Sequence, residues 1–374
     1  MEKSSVLVTG GAGFIGSHIV DALVEQGHDV RIFDSLVEQV HGNKLPEHLN
    51  RGADFVRADL CDAETVATAL DGIDVVFHQA AEVGIAQSMY EIVRYVKAND
   101  LGTAVLLEEM TKRSSQFKKL VVASSHSVYG EGTFYCDSCR AYEYPSLRTD
   151  KQLAAHRWEF SCTSCGGELS AVGTPEHKPQ YPTSVYAINK QVQEQYCLSV
   201  GRAYKIPTVA FRYFNVYGTR QSLSNPYTGI CAIFSARLMN DQAPLIFEDG
   251  EQTRDFVHVS DIVRANLLAL ETDKCDYRAI NIGTGEGTSV KRIAEVIAEG
   301  LGKKIVPEIA GKYREGDIRH SVGDISRARE MLGFEPRVKL KDGLAELLEW
   351  LGHQKADDRV ESATAELAER GLVS

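Results

Sequence analysis

Short runs of β-branched and aliphatic residues alternate along the first half of the chain with longer stretches whose apolar positions recur every three or four residues. A short run bounded by Gly, Asp or Pro reads as a buried strand, and the longer period reads as an amphipathic helix. On that basis 5–9, 29–34, 55–58, 75–79, 119–124 and 208–213 are expected strands, and 14–26, 63–70, 96–112 and 184–204 expected helices. Strands alternating with helices in this way form a parallel sheet covered on both faces, an α/β fold. The rhythm breaks over 131–180, where aromatics, prolines and two CxxC pairs occur without strand–helix alternation. Beyond 215 the pattern is mixed, with helices expected near 229–240, 260–271 and 289–301. The stretch 357–370 is polar with sparse apolar positions and reads as a solvated or interface helix.

Length and charge narrow the class. A chain of 374 residues exceeds one simple core, so two domains with an insertion are expected. Its 41 Lys and Arg against 52 Asp and Glu give a net charge of −11, without the basic footprint of a nucleic-acid binder. No apolar run approaches the roughly 18 residues that span a membrane. The N-terminal MEKSSVLVTGG passes into a strand without a leader's apolar region. The expectation is a cytoplasmic protein with neither membrane nor nucleic acid as a partner.

Between the first strand and first helix, Thr9-Gly-Gly-Ala-Gly-Phe-Ile-Gly16 spaces Gly10, Gly13 and Gly16 as a phosphate-binding turn. Glycine permits positive φ, lets backbone approach a pyrophosphate, and lets helix pack on strand. The helix N-terminus then offers N–H groups to the phosphate charge. Asp34, at the end of the second strand, suits the adenosine ribose hydroxyls and repels a 2′-phosphate, which favours NAD. Asp59 follows the third strand and has two readings, a contact to the adenine amino group or a cap on the next helix.

Tyr186 and Lys190 stand four residues apart at the start of a helix, on one face. A tyrosine serves as a base near pH 7 only if its phenolate gains about 4 kcal/mol, for which a lysine ammonium and a positive nicotinamide are candidate sources. With the glycine turn, His78-Gln-Ala-Ala81, Asn99-Asp-Leu-Gly-Thr103, Ser124-Ser-His-Ser-Val-Tyr-Gly130, Arg212-Tyr-Phe-Asn215 and Arg254-Asp-Phe-Val-His-Val-Ser-Asp261, the chain resembles the extended short-chain dehydrogenase/reductase family, in particular its NAD-dependent nucleotide-sugar epimerases and dehydratases. That resemblance covers roughly 5–130 and 181–350. It implies a Rossmann doubly wound sheet over 1–130, 181–215 and 255–282, and a smaller mixed α/β nucleotide-sugar domain over 216–254 and 283–350. The insert at 131–180 and a helical tail at 351–374 complete the expected organisation. It implies that Ser125 is the catalytic hydroxyl beside Tyr186 and Lys190. Phe14, Ile15, Leu60, Ala80, Ala81, Asn99 and Ser124 would join Gly10, Gly13, Gly16, Asp34 and Asp59 around NAD. His126, Ser127, Asn215, Arg220, Arg254 and Arg319 would face the substrate, with the arginines suited to a diphosphate. Relatives dimerise through the helices matching 96–112 and 184–204, so a homodimer is implied.

Dehydratases of this kind carry Asp-Glu just before Val-Tyr-Gly, and decarboxylating members carry Glu at the position of Ser127; this chain has His126-Ser127. Elimination therefore lacks its expected proton-transfer group, leaving oxidation at C4, reorientation of the keto sugar and hydride return: a 4-epimerase. The insert and the stretch 34–42 are similar to bacterial dTDP-L-rhamnose 4-epimerases, with UDP-hexoses open and dehydration or decarboxylation as alternatives.

The insert holds Cys136-x-x-Cys139 and Cys162-x-x-Cys165, which can supply four thiolates to one tetrahedral, structural Zn²⁺ as in a zinc ribbon. Its charges balance, so it has no nucleic-acid face. It is expected to border the substrate cleft, because Ser125 and Tyr186 flank it. A non-catalytic NAD-sensing scaffold that uses the ribbon to bind a partner is the competing reading. Cys61, Cys197, Cys231 and Cys275 read as buried packing residues.

Overall fold

The computed structural model describes residues 3–42, 44–222, 229–313, 316–354 and 369–370. The tail helix expected over 357–370 lies outside them except for its last two residues. The first half contains β1 (Ser5–Thr9), β2 (Asp29–Asp34), β3 (Asp54–Arg57), β4 (Val75–His78) and β5 (Lys119–Ser125). Between these strands run α1 (Phe14–Glu25), α2 (Glu38–His41), α3 (Ala63–Ala69), α4 (Ile85–Ser88), α5 (Ile92–Tyr95) and α6 (Gly102–Thr111). The insert contributes β6 (Thr133–Cys136), β7 (Ala141–Glu143), α7 (Asp150–Ala154) and β8 (Ser170–Val172). Then follow α8 (Val185–Tyr204), β9 (Thr208–Tyr213), β10 (Asn215–Tyr217), α9 (Ile230–Met239), β11 (Leu245–Ile246), β12 (Thr253–Arg254), β13 (Phe256–His258), α10 (Val259–Leu268) and β14 (Arg278–Ile282). The chain continues through β15 (Thr288–Ser289), α11 (Val290–Gly300), β16 (Glu308–Ile309), β17 (His320–Ser321), α12 (Ser326–Leu332) and α13 (Leu340–Leu351).

Seven strands pair in parallel in the order β14-β9-β5-β4-β1-β2-β3, a Rossmann-like sheet. The order reverses between β1 and β4, and a crevice opens there at the carboxyl ends of the strands. Alternation along β1 sends Val6 and Val8 to one face, with Ile19, Ile32, Val121 and Phe211. Leu7 goes to the other, with Val76, Leu106, Leu120 and Cys197. Both faces are therefore apolar, which is why these strands read as continuous hydrophobic runs. Each such buried side chain contributes roughly 1.5–3 kcal/mol of burial.

A separate apolar cluster builds the second lobe, where Cys231, Phe234 and Leu238 of α9 meet Ile293 and Ile297 of α11 and Leu344, Leu347 and Leu351 of α13. The insert is more ordered than its pattern suggests, with an antiparallel β7-β6-β8 sheet and a short helix capped by Thr149. Its strands are too short to show a period.

The helix expected over 96–112 begins earlier and is not uniform. It runs from α5 through a wide turn with i→i+5 bonding at Val96–Leu101 into α6. The wide turn carries Asn99, whose amide leaves the helix axis to hold the backbone of Glu82. Such bulges accompany residues diverted to other work. Cys197, Cys231 and Cys275 are buried as expected, whereas Cys61 is only half-buried and donates its thiol to the Lys97 carbonyl at 3.3 Å.

Candidate active site

The glycine turn is tight because backbone crosses backbone. Gly10 sits at φ +67°, and a Cβ there would lie 2.7 Å from the Ala80 backbone; a Cβ at Gly16 would lie 2.1 Å from the Gly10 carbonyl oxygen. Gly13 is the N-cap of α1, which therefore has no capping side chain, and no acid stands in its first turn. Its leading N–H groups and positive dipole end therefore face the crevice uncompensated. Asp34 is nearly buried and accepts from the Ala12 and Leu36 N–H groups at 3.1 and 2.9 Å. That pins a carboxylate at the rim while leaving lone pairs for ribose hydroxyls. Asp59 is not the cap of the next helix, because Asp62 accepts from Thr65 N in that role. It lies on the crevice wall, 3.6 Å from the Lys97 ammonium.

These groups border one continuous cleft of about 900 Å³, which runs from Asp34 and Asp59 past Gly10, Gly13, Phe14, Ile15, Gly16, Leu60, Ala80 and Ala81 to Ser124, Ser125, His126, Ser127, Tyr186 and Lys190. It continues along Asn215, Arg220 and Arg254 into the second lobe. The residue types suit an adenine dinucleotide: a loop no side chain could enter, a helix end facing phosphate, and an acid at the ribose.

At the end of β5, Ser125 accepts from Ser127 N at 3.1 Å and shares a hydrogen bond with Tyr186. Lys190 lies one helical turn after Tyr186 and donates to the Ala123 carbonyl at 2.9 Å. Burial pushes the Lys190 ammonium down to about 8, with Cys197 opposing it weakly. Burial pushes the Tyr186 phenol up to about 12, although the Ser125 hydrogen bond pulls the other way. The expected lowering toward 7 is therefore absent from the protein's own groups, and Tyr186 is a phenol until a positive charge arrives beside it.

His126 stacks on Phe214 at 5.3 Å, its Nδ1 lies 2.8 Å from Ser321 Oγ, and burial with the nearby Arg254 charge holds it neutral, down to about 3. Ser127 Oγ and Asn215 Oδ1 are buried without hydrogen-bond partners among the described residues, on walls of the cleft. Arg220 pairs with Asp21 at 2.7 Å. Arg254 reaches the Thr253, Ile318 and Arg319 carbonyls and Asp317, and so arrives at the cleft already held.

Three expectations need correction. Arg319 does not line the cleft: it is 1% exposed, and Glu159, Glu248 and Asp249 enclose its guanidinium. Asn99 does not line it either, being fully buried with its amide spent on the Glu82 backbone. It shapes the loop after β4 instead. The insert contributes no cleft-lining residue among those described. Beyond Ser127, the connection between Ser125 and Tyr186 hydrogen-bonds to β17 and its flanking residues through Glu131 and Thr174. Ser124 borders the cleft, but its hydroxyl donates to Glu194 at 2.6 Å. Arg237 and Gln252, which the sequence reading missed, line the second-lobe end. An arginine within the apolar run of α9 was the available signal for the first.

A Rossmann-like crevice with a glycine turn, an acid at β2 and a Ser-Tyr-Lys group defines an NAD-linked enzyme of the short-chain dehydrogenase type. The chain belongs to the NAD dependent epimerase/dehydratase family, whose profile matches residues 6–283. It is 34% identical to a dTDP-L-rhamnose 4-epimerase of Burkholderia thailandensis, over 95% of this chain and 96% of that protein. The crystal structure of a Thermotoga maritima UDP-glucose 4-epimerase with UDP-glucose is similar at TM-score 0.77 and 35% identity, covering 93% of this chain and 99% of that one. A Thermus thermophilus UDP-glucose 4-epimerase in complex with NAD follows at TM-score 0.74 and 30% identity, covering 94% and all of that chain. Among the described residues, no helix is long and apolar enough to cross a membrane.

Proposed function

We propose that the protein is an NAD-dependent nucleotide-sugar 4-epimerase, with dTDP-L-rhamnose the favoured substrate and UDP-hexoses next. One observation carries the choice of reaction. Among the described residues, each carboxylate on the cleft wall has a partner: Asp34 the Ala12 and Leu36 N–H groups, Asp59 Lys97, Glu82 Arg94, and Asp317 Arg254. Beside Ser125 and Tyr186 stand instead a neutral His126 and an uncharged Ser127. A site of that kind can move the hydroxyl proton at C4 but offers, among the described residues, no unpaired carboxylate for eliminating water. The naming of the Burkholderia relative supports the rhamnose reading.

NAD, when bound, supplies a hydride acceptor and a positive nicotinamide near Tyr186. With that charge in place, the Tyr186 phenol would first release its own proton to solvent, and the phenolate oxygen would then take the C4 hydroxyl proton. Ser125 orients the same sugar oxygen. Lys190, fixed by the Ala123 carbonyl, favours the phenolate and holds the nicotinamide ribose. Arg220 and Arg254 hold the substrate diphosphate while the keto sugar turns. In this reading the NAD-binding part is 1–130, 181–215 and 255–282, and 216–254 with 283–350 carries the nucleotide sugar. Incubation with dTDP- and UDP-hexoses, followed by NMR, tests it; a C4 epimer is expected, and a dehydrated or decarboxylated product refutes it.

The same proposal includes structural Zn²⁺ on Cys136, Cys139, Cys162 and Cys165. Their sulfurs lie within 4.8 Å of one another, with Cys136–Cys165 at 3.6 Å and Cys139–Cys162 at 3.7 Å. Tetrahedral Zn–S bonds of about 2.3 Å place sulfurs about 3.8 Å apart, whereas a disulfide needs about 2.05 Å. N–H groups of Cys139 and Gly167 point at Cys136 and Cys165 sulfur, each at 3.4 Å, as suits thiolates. Homodimerisation is proposed through α5 to α6 and α8, where Val93 is 82% exposed and Ile92, Leu101, Ile188 and Tyr196 are also uncovered. A Val93→Asp variant that remained dimeric in light scattering would exclude that face.

A further inference from the structure

The segment 317–323 has two faces with different duties. On the cleft side, the Ile318 and Arg319 carbonyls and the Asp317 carboxylate hold the Arg254 guanidinium, and Ser321 Oγ holds His126 Nδ1. On the other side, the insert grips the same segment. Glu131 accepts from the Arg319 and His320 N–H groups at 2.6 and 2.8 Å. Thr174 pairs with Val322 and Asp324 backbone at 2.8 and 3.0 Å. Arg148 makes a two-pronged pair with Glu248 at 2.7 and 2.9 Å and also donates to the Asp317 carbonyl at 3.2 Å. Glu159 accepts from Arg319 Nε at 2.7 Å and lies 3.2 Å from His320 Nε2. Glu248 joins the two arginines, because Arg319 also donates to it at 3.0 Å.

We propose that the cysteine-bearing insert positions the substrate's diphosphate and sugar contacts from behind, with Arg148 and Glu159 as positioning residues that act through segment 317–321 on Arg254 and His126. This rests on the reading of the cleft as a nucleotide-sugar site. The arrangement explains why an insert that lines no part of the cleft carries buried charge. Arg148 is nearly sealed, and a buried ion pair is a weak source of stability but a strong constraint on geometry. Glu159 lies three residues before Cys162, so the sulfur cluster fixes the stretch from which it reaches Arg319. Burial pushes the Glu159 carboxyl up, but the hydrogen bonds from His320 and Arg319 and the Arg319 charge outweigh it and bring it down to about 2, so it stays charged across working pH. Small displacements of a clamp residue cost binding and rate steeply.

The test uses the full-length protein with its bound NAD. Glu159→Gln removes a half-exposed charge without opening a cavity. Its KM for the nucleotide sugar, and its Kd for UDP or dTDP, whichever binds the wild type more tightly, should rise about tenfold. The kcat and the NAD content should stay within about twofold. Arg148→Met should behave alike, and Lys151→Ala, exposed on the same insert, should match the wild type. A double-mutant cycle supplies the discriminating readout: in an Arg254→Lys background, Glu159→Gln should add less than about twofold. An unchanged KM, an undiminished tenfold loss in that background, or a fall of kcat and NAD content together with KM would each overturn the proposal. If the wild type retains NAD yet binds neither nucleoside diphosphate, the reading of the cleft itself falls, and the proposal with it.

Discussion

Lys190 offers a prediction in which stability and activity move in opposite directions. Its ammonium is 3% exposed, and burial brings it from the ordinary 10.5 down to about 8. Below pH 8 the folded protein carries a buried charge that the unfolded chain solvates freely. A shift of about 2.5 units corresponds to about 3 kcal/mol at pH 7. The unfolded state binds more protons between the two values, so the stability of the wild type rises with pH through that window. Replacing Lys190 with Met removes the penalty and loses the hydrogen bond to the Ala123 carbonyl, worth about 1 kcal/mol. The NAD-free variant should therefore be about 2 kcal/mol more stable than the NAD-free wild type at pH 7. That advantage should narrow to well under 1 kcal/mol by about pH 9.5, where less than half of the penalty remains. The neighbouring Cys197 thiol, pushed up to about 12 by burial, stays protonated throughout and does not confuse the profile. Urea denaturation from pH 6.5 to 9.5 measures the difference, and turnover of the variant should be lost. A variant less stable than the wild type at pH 7, or a gap independent of pH, would refute the reasoning.

Tyr186→Phe should lower turnover by about 10²–10⁴-fold while NAD stays bound, as absorbance of the denatured protein would show; full activity would remove Tyr186 from the chemistry. Cys162→Ser, at a buried position of the sulfur cluster, should abolish stoichiometric zinc in elemental analysis and lower the melting temperature. Wild-type protein free of zinc but equally stable would refute the metal assignment. Gly16→Ala would force a Cβ to 2.1 Å from the Gly10 carbonyl oxygen, so NAD content should collapse, and a variant purified with full NAD would contradict the tight-turn argument.

What the sequence revealed was set by short-range rules. The strands of the sheet are buried on both faces, so their apolar runs stood out, and the glycine turn and Tyr186–Lys190 spacing are local geometries. What stayed hidden depends on partners distant in sequence. Arg319 looks like a diphosphate ligand until Glu159, and the neighbouring Glu248 and Asp249, are brought around it from two other segments. Asn99 looks like a cofactor contact until the wide turn aims it at Glu82. The insert looked like a cleft border because the chain leaves and re-enters beside the reacting group, yet its exit direction is set by pairing with Val322 and Asp324. The match to the family fixes the NAD-linked class, and the engaged carboxylates of the cleft are what point within it to epimerisation.

Transient oxidation at C4 with return of the same hydride to the opposite face distinguishes epimerisation from every other outcome in this cleft. Nucleotide sugars carrying deuterium at C4, dTDP-L-rhamnose first and UDP-glucose second, put it to the most direct test when the product is analysed by NMR and mass spectrometry. A C4 epimer that keeps the deuterium at C4 is expected, because the label never exchanges with solvent. Loss of the label to water, a product short of water or carbon dioxide, or no conversion of any hexose in the panel would contradict it.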